Sequence, residues 1–168
     1  MTTETFTVSD DGTFPNSTLP ILLYRNAIPT SATDKAAWLE RTFISNNWLG
    51  TWRNGILPYD HYHSTTHEVL GIYSGSATLR LGGPSGLTLT VAAGDVLVIP
   101  AGVAHRNLAQ NEPFGVVGAY PEGRSWDLRR GEPGERPSVD QTLAHIPRPA
   151  TDPLSGAAGD LLRAWSGH

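Results

Sequence analysis

Six histidines occur in this chain, and four of them fall within one stretch between residues 55 and 107. They are His61, His63, His67 and His105, and Glu68 directly follows the third. Imidazole and carboxylate are ligands that divalent transition metals accept, and the chain has no cysteine that could add a thiolate. The stretch therefore indicates a site for a divalent metal ion, with iron, manganese, zinc, nickel and copper all open.

The spacing of these residues predicts how they could meet. Residues i and i+2 of a strand point to the same face, so His61 and His63 are predicted to aim at one point, with Tyr62 directed away. The Ser-Thr-Thr turn that follows breaks the alternation and allows Glu68 to enter from the next strand. His105 follows a Pro-Ala-Gly turn and can approach from the opposite side. Three imidazoles and a carboxylate leave one or two metal positions open, as catalytic sites do.

The role of His67 stays open among three possibilities. Simple alternation sends His67 and Glu68 to opposite faces, and the spacing favours Glu68 as the ligand. His67 could still replace Glu68, hydrogen-bond to Glu68 or a substrate, or face outward. The second role is favoured because metal ligands generally need an orienting partner. Asn54 is a further polar candidate for the pocket, and the catalytic candidates are His67, Tyr59 and Asn107.

The elements that must position these residues are short strands. Alternating segments punctuated by glycine and proline turns predict an antiparallel β-barrel or jelly roll. The predicted strands are 48–54, 59–63, 68–73, 77–81, 87–91, 96–99, 105–108 and 114–120, with a turn at Ser74-Gly75. Trp48 and Trp52 are predicted to pack in the core or at the barrel rim, and Arg129-Arg130 is predicted to be a solvated loop.

The segments on either side of the barrel are predicted to be less regular. The run Leu19–Tyr24 contains Pro20, which predicts an edge strand. A helix is predicted from about Asp34 to Ile44, capped by Ser31 or Thr33, with Asn46-Asn47 at its end. Residues 121–158 show little periodicity and could close the barrel mouth as a lid, and residues 160–165 could form one or two helical turns.

Length and composition bound the classes of function. At 168 residues the simplest organisation is one domain, with a barrel core at about 48–120, a strand and helix in 1–47 and a tail in 121–168. A net charge of −4 with one lysine argues against nucleic acid, and no apolar run could span a bilayer. The first residues do not form a secretory signal, so a cytoplasmic location is expected. The expected partner is a small molecule, and a homodimer through a sheet edge is possible.

Two motifs in the central stretch resemble those of the cupin superfamily. The first motif, G-x5-H-x-H-x4-E-x6-G, is matched at every position, and the second, G-x5-P-x-G-x2-H-x3-N, is matched except at its last residue. Asn107 stands two residues after the histidine rather than four. The resemblance implies a two-sheet β-barrel with metal ligation by His61, His63, Glu68 and His105. The matching residues are Gly55, His61, His63, Glu68, Gly75, Gly94, Pro100, Gly102 and His105.

The whole chain is similar to the YjlB-like cupins, small bacterial proteins. The segments that carry this resemblance lie at 10–16, 52–56, 63–71, 117–121, 134–137 and 151–157. Two functions follow as alternatives. The first is a metal-dependent enzyme acting on a small organic molecule, either dioxygenase-like or a Lewis-acid isomerase or hydrolase. The second is a non-catalytic cupin that binds a small molecule or a sugar.

Overall fold

A computed structural model describes residues 1–168, with the side chain of Glu112 excepted. The architecture is mainly antiparallel β with three short helices among the described residues, and no described helix is long and apolar enough to cross a membrane. The elements in order are β1 (Thr2–Val8), β2 (Ser17–Arg25), α1 (Lys35–Ser45), β3 (Trp48–Asn54), β4 (Glu68–Leu81), β5 (Leu87–Ala92), β6 (Val96–Ile99), β7 (His105–Pro121), α2 (Ser138–Ala144) and α3 (Asp160–Trp165).

Over the described residues the strands form one sheet in the order β1-β2-β6-β4-β7-β3, with β5 paired to β4. Both faces of this sheet are buried, which explains the near-continuous apolar runs of β2 and β6. Alternate residues such as Leu70 and Leu97 belong to the inner core. Their neighbours Val69 and Val98 belong to a second core that helices α1 and α3 cover. The inner core ends at the predicted metal-binding histidines.

Helix α1 buries the predicted apolar face but begins with a different cap. Ala36, Leu39 and Phe43 are buried. The residue that caps the helix is Asp34, whose carboxylate accepts a hydrogen bond from the Ala37 amide at 2.9 Å. The prediction of Ser31 or Thr33 as the cap is wrong, because Asp34 stands closer to the first turn and its carboxylate satisfies the amide there.

The prediction of an edge strand at Leu19–Tyr24 is also wrong. Strand β1 pairs with one side of β2 and β6 with the other. Pro20 is tolerated because the β1 register is irregular opposite it, and the pairing with β6 starts only at Leu22. Its carbonyl accepts a hydrogen bond from the Trp165 indole at 2.8 Å, which holds the last helix against β2.

Two predicted breaks between strands are irregularities within longer strands. The predicted turn at Ser74-Gly75 lies inside β4, and the segments 105–108 and 114–120 belong to the single strand β7. The β4–β7 register shifts around Ser74 instead of reversing. Gly75 has φ of +72°, and a Cβ there would collide with the Pro113 carbonyl oxygen. The Ser-Gly pair, which is typical of a turn, thus forms a β-bulge here.

The tail contains more structure than its composition predicts. Besides the expected terminal helix α3, it forms the short helix α2, which sequence analysis did not predict. Asp152 is fully buried and accepts hydrogen bonds from the Tyr24 hydroxyl at 2.5 Å and from the Leu161 amide at 3.0 Å. One carboxylate therefore fastens the tail to β2, next to the second core.

Candidate metal centre

The three predicted histidine ligands come together at one end of the inner core. His61 and His105 form an isolated antiparallel bridge, with the His61 amide 3.2 Å from the His105 carbonyl and the reverse bond at 2.9 Å. This pairing sets their ring centroids 4.1 Å apart, and the ring of His63 lies 5.6 Å from that of His105. One donor atom from each ring lies within 4.8 Å of the others, and all three residues are buried.

The local backbone differs from the predicted strand at 59–63. Two bridge residues replace a strand there: His61 pairs with His105, and Tyr62 pairs with Arg129 in the tail. Each bridge involves a different partner segment, so a continuous ladder does not form. The prediction that His61 and His63 converge is nevertheless confirmed, because both rings line the same cavity.

The backbone fixes which nitrogen of each imidazole faces the centre. The Nδ1 atoms of His61 and His105 lie 2.9 Å and 3.0 Å from the carbonyl oxygens of Tyr59 and Val103. The Nδ1 atom of His63 makes the same contact with the Asp127 carbonyl. A carbonyl can only accept, so each Nδ1 carries the hydrogen and each Nε2 keeps its lone pair when the ring is neutral. Such orientation by a carbonyl is the usual support of metal-binding histidines.

Glu68 supplies a carboxylate at the same point. Its two oxygens lie 3.4 Å from the Nε2 atoms of His63 and His105, and its side chain is 4% exposed. Burial acts to raise the pKa of Glu68, but the neighbouring His63 and His105 together outweigh it and the pKa is lowered. The same pairing raises the pKa of His63 against its burial. Burial, assisted by His105, lowers the pKa of His61 to about 3. The centre thus combines a carboxylate anion with a neutral imidazole.

His67 lies away from this centre. Its Nδ1 accepts a hydrogen bond from the Ala101 amide at 2.9 Å, and its ring centroid is 4.7 Å from that of Trp165 in the second core. Burial lowers the pKa of His67 to about 4. The predicted separation of His67 and Glu68 onto opposite faces is confirmed, because Glu68 lines the cavity of the three histidines and His67 lines a different one.

Only one of the other three polar candidates lines the cavity. Asn54 lines the cavity, but Tyr59 and Asn107 are not among its lining residues. The Tyr59 carbonyl holds His61, and its ring carries the Arg130 guanidinium 3.9 Å from the centroid. Asn107 is buried, and its amide nitrogen donates to Gln110 at 2.6 Å. Tyr59 therefore reaches the centre through its main chain.

Two aromatic residues, Trp52 and Tyr120, line the cavity together with Glu68, and Trp52 is one of the two tryptophans that were predicted to pack in the core or at the barrel rim. Trp48 is fully buried as predicted, whereas Trp52 is partly buried and lines the cavity. The Trp52 indole donates to the Tyr120 hydroxyl at 2.8 Å. Burial and then the Glu68 carboxylate raise the pKa of Tyr120 well above its usual value. Tyr120 thus presents a neutral hydroxyl next to the carboxylate.

A short part of the tail, residues 125–129 and here named the strap, packs on the loop that carries the histidines. Asp127 in the strap accepts from the Ser64 amide at 2.6 Å, and the Thr65 hydroxyl donates to the Ser125 carbonyl at 2.7 Å. The amide of Arg129 donates to the Tyr62 carbonyl at 2.9 Å. The sequence indicated that residues 121–158 could close the barrel mouth, but the lack of periodicity there did not reveal which residues contact the histidine loop. The available signal was Trp-Asp-Leu, an acid between two apolar residues in a polar segment.

The cavity above the histidines has a volume of about 400 Å³. The strap contributes Trp126 and Leu128 to its wall, and both residues are exposed. Trp126 meets the His63 ring edge-on, with centroids 5.8 Å apart. The space above the histidines is thus bounded by this strap and the segment at 52–58.

Comparisons with known proteins agree with this architecture. A cupin domain model matches residues 53–114, and a relative shares 37% identity over nearly the whole chain. The chain therefore belongs to the cupin family, and its mainly antiparallel β-barrel is the cupin fold. The relative is the uncharacterized protein YjlB of Bacillus subtilis (strain 168), with an alignment of 164 residues that covers 97% of this chain and 96% of YjlB.

Solved structures are more distant. A conserved protein with a double-stranded β-helix domain from Klebsiella pneumoniae is 22% identical, covering 48% of this chain and 67% of its own, with a TM-score of 0.37. Acireductone dioxygenase from Bacillus anthracis, with a cadmium ion in its active centre, is 15% identical, covering 64% and 82%, with a TM-score of 0.42.

Proposed function

We propose that this chain is a metal-dependent enzyme acting on a small organic molecule, with a divalent ion held by His61, His63, Glu68 and His105. The observation that carries the proposal is the contact of all three Nδ1 atoms with main-chain carbonyls. These contacts leave three Nε2 lone pairs for one centre, beside a buried carboxylate. A structural role for the histidines would not require all three rings to share this orientation.

The donor set decides which ions fit. Three imidazoles and one carboxylate suit iron, manganese, zinc, nickel or copper, because the set contains neither thiolates nor an oxygen cage. A redox-active ion at this centre would supply oxygen chemistry of the dioxygenase kind, and a redox-inert one would act as a Lewis acid for isomerisation or hydrolysis. We favour the first reaction class for the experiments below.

The chain's own groups support a reaction in three ways. Carbonyls fix the imidazole tautomers, so ligation needs no rotation of the rings. The three histidines and Glu68 are buried, which limits their contact with bulk water and strengthens electrostatic interactions at the centre. The Tyr120 hydroxyl is oriented by Trp52 and lies next to the Glu68 carboxylate. Together, the hydroxyl and the carboxylate could hold or pass a proton at the cavity floor.

Metal content tests the proposed centre. We expect the purified protein to retain about one divalent ion per chain, measured by elemental analysis, and His61→Ala, His63→Ala and His105→Ala each to lose it. Loss of one ligand typically weakens retention beyond what dialysis preserves, whereas removal of a supporting group costs about 10- to 100-fold in affinity. Circular dichroism checks that each variant is folded.

Two matched controls sharpen this test. His145→Ala removes an exposed imidazole whose Nδ1 also contacts a carbonyl, that of Gln141, and it should keep the full metal content. His67→Ala should also keep most of the metal, because the His67 ring packs against Trp165 of the second core and lies away from the centre. Full metal retention in the three ligand variants would refute the centre.

The reaction class needs a separate measurement. Oxygen uptake by the iron- or manganese-loaded protein across a panel of small metabolites is expected for a dioxygenase. A redox-inert resident ion with no oxygen uptake would direct attention to isomerase or hydrolase assays. Binding without turnover in every assay would favour the alternative, a cupin that holds a small molecule without catalysis.

A further inference from the structure

The walls of the cavity differ sharply from its floor. The floor carries the polar groups already described, namely the histidines, Glu68 and Tyr120. The walls are mostly apolar or aromatic, with Arg53 and Asn54 as the polar exceptions; the apolar and aromatic residues include Trp52, Ile56, Leu57, Leu70, Trp126 and Leu128. A volume of about 400 Å³ lies near the lower end of the range of about 300–1,000 Å³ that is usual for small-molecule pockets. A bound molecule would therefore be small, with one polar end at the floor and an apolar body between the walls.

Charge and hydrogen-bonding capacity in the walls exclude two other ligand chemistries. Arg53 is the one cation among the lining residues, and its guanidinium is paired with Glu40. A ligand with several carboxylates or phosphates would therefore find no free cation beyond the metal. The side-chain oxygen of Asn54 accepts from the Gly55 amide at 2.8 Å. A sugar would leave most of its hydroxyls unpaired against apolar walls, which is costly.

The aromatic wall residues are held in fixed positions. The hydrogen bond to Tyr120 fixes Trp52, whose ring lies against Gly118 so closely that a Cβ there would collide with it. The Trp126 ring meets the His63 ring edge-on. The side chain of the next residue, Asp127, accepts a hydrogen bond from the Ser64 amide and so holds the main chain at this point. Aromatic rings in fixed positions favour flat ligands, because offset stacking and edge contacts add to the burial of apolar area.

We infer that the site takes a small planar, largely apolar molecule, such as a single aromatic ring with oxygen substituents at one end, and that Trp126 selects it. The oxygen end would meet the metal and Tyr120, and the ring would pack against Trp126 and Trp52. This inference rests on the proposed metal centre. It also explains why the indole of Trp126, 54% exposed, is presented at the cavity: its inner side offers a contact surface for the ligand.

Binding of two metal chelators to the zinc-loaded protein tests the inference without requiring activity. The first probe is 4-nitrocatechol, which is planar and aromatic with two adjacent oxygens, and the second is oxalate, which offers oxygens but no ring. Glucose serves as a polyol. Isothermal titration is expected to show 4-nitrocatechol binding at least about tenfold more tightly than oxalate, and no binding of glucose.

Three variants assign the preference to one side chain. Trp126→Ala should weaken 4-nitrocatechol about tenfold and change oxalate less than twofold. Trp126→Phe keeps a ring and should restore most of the affinity. Trp38→Ala, which removes a partly buried tryptophan of the second core outside the cavity, should change neither probe. Thermal unfolding of each variant checks folding.

The outcomes separate the two proposals. Retained zinc together with tighter binding of oxalate or glucose, or with 4-nitrocatechol binding that Trp126→Ala does not change, overturns the planar-ligand inference and leaves the metal centre standing. Zinc content measured before and after the titration shows whether the protein holds the ion. A protein that holds neither zinc nor iron, manganese, nickel or copper overturns both.

Discussion

Asp127 is the side chain on which we expect the cavity wall to depend most. Its carboxylate accepts from the Ser64 amide at 2.6 Å and from Arg129 at 3.0 Å, and the Ser64 hydroxyl also donates to it. Ser64 is 1% exposed, so Asp127→Ala would leave buried donors without an acceptor. The bridge between Tyr62 and Arg129 would still form whenever the strap is closed, so the variant should stay folded.

The expected change in the free energy of opening the strap follows from the buried Ser64 donors that would lose their acceptor. A buried hydrogen-bonding group left unpaired costs about 1–3 kcal/mol. If Asp127→Ala lowers the free energy of opening the strap by about 2 kcal/mol, the population of the open strap rises roughly 30-fold. The Arg129 amide, which donates to the Tyr62 carbonyl across this contact, should exchange its hydrogen faster by about the same factor.

Hydrogen exchange followed by mass spectrometry measures this effect. Peptides that contain residues 62–65 and 125–129 should exchange roughly 30-fold faster in Asp127→Ala, while peptides of the inner core keep their rates. Asp10→Ala is the matched control, since Asp10 holds a different part of the tail through Arg136 and should not affect the strap. Unchanged exchange in the strap of Asp127→Ala would refute the anchoring role, and acceleration throughout the chain would show that the strap does not open on its own.

Two further predictions concern stability. Burial lowers the pKa of His67 from 6.5 to about 4, so the unfolded chain binds the proton more readily and stability falls as the pH drops through that window. Between pH 7 and pH 5, urea unfolding should show the wild type losing about 2 kcal/mol more than His67→Gln, and parallel profiles would contradict this. Asp152→Ala should cost about 3–5 kcal/mol, because the Tyr24 hydroxyl and the Leu161 amide lose a buried charged acceptor. Chemical denaturation measures that loss, and a value below about 1 kcal/mol would show that water replaces the carboxylate.

Local patterns predicted much of the strand content and failed where one signal serves two structures. Alternation identified the hairpin of β4 and β5, because one of its faces is buried and the other is not. The Ser74-Gly75 pair signals a turn, but it forms a bulge because β7 continues beside it. Pro20 signals an edge, yet β2 is interior, because its neighbours pair around the proline. In each case the deciding contact comes from a distant segment.

The sequence by itself determined the set of groups that could form a metal centre and the family to which the chain belongs. Residue types and spacings within the central stretch carry that information, since ligand chemistry and strand alternation are local properties. Only the tertiary structure decided that carbonyls of Tyr59, Val103 and Asp127 fix the imidazole tautomers and that Trp126 stands over them. These contacts join segments far apart in the chain or depend on the path of the backbone, and no local pattern encodes either.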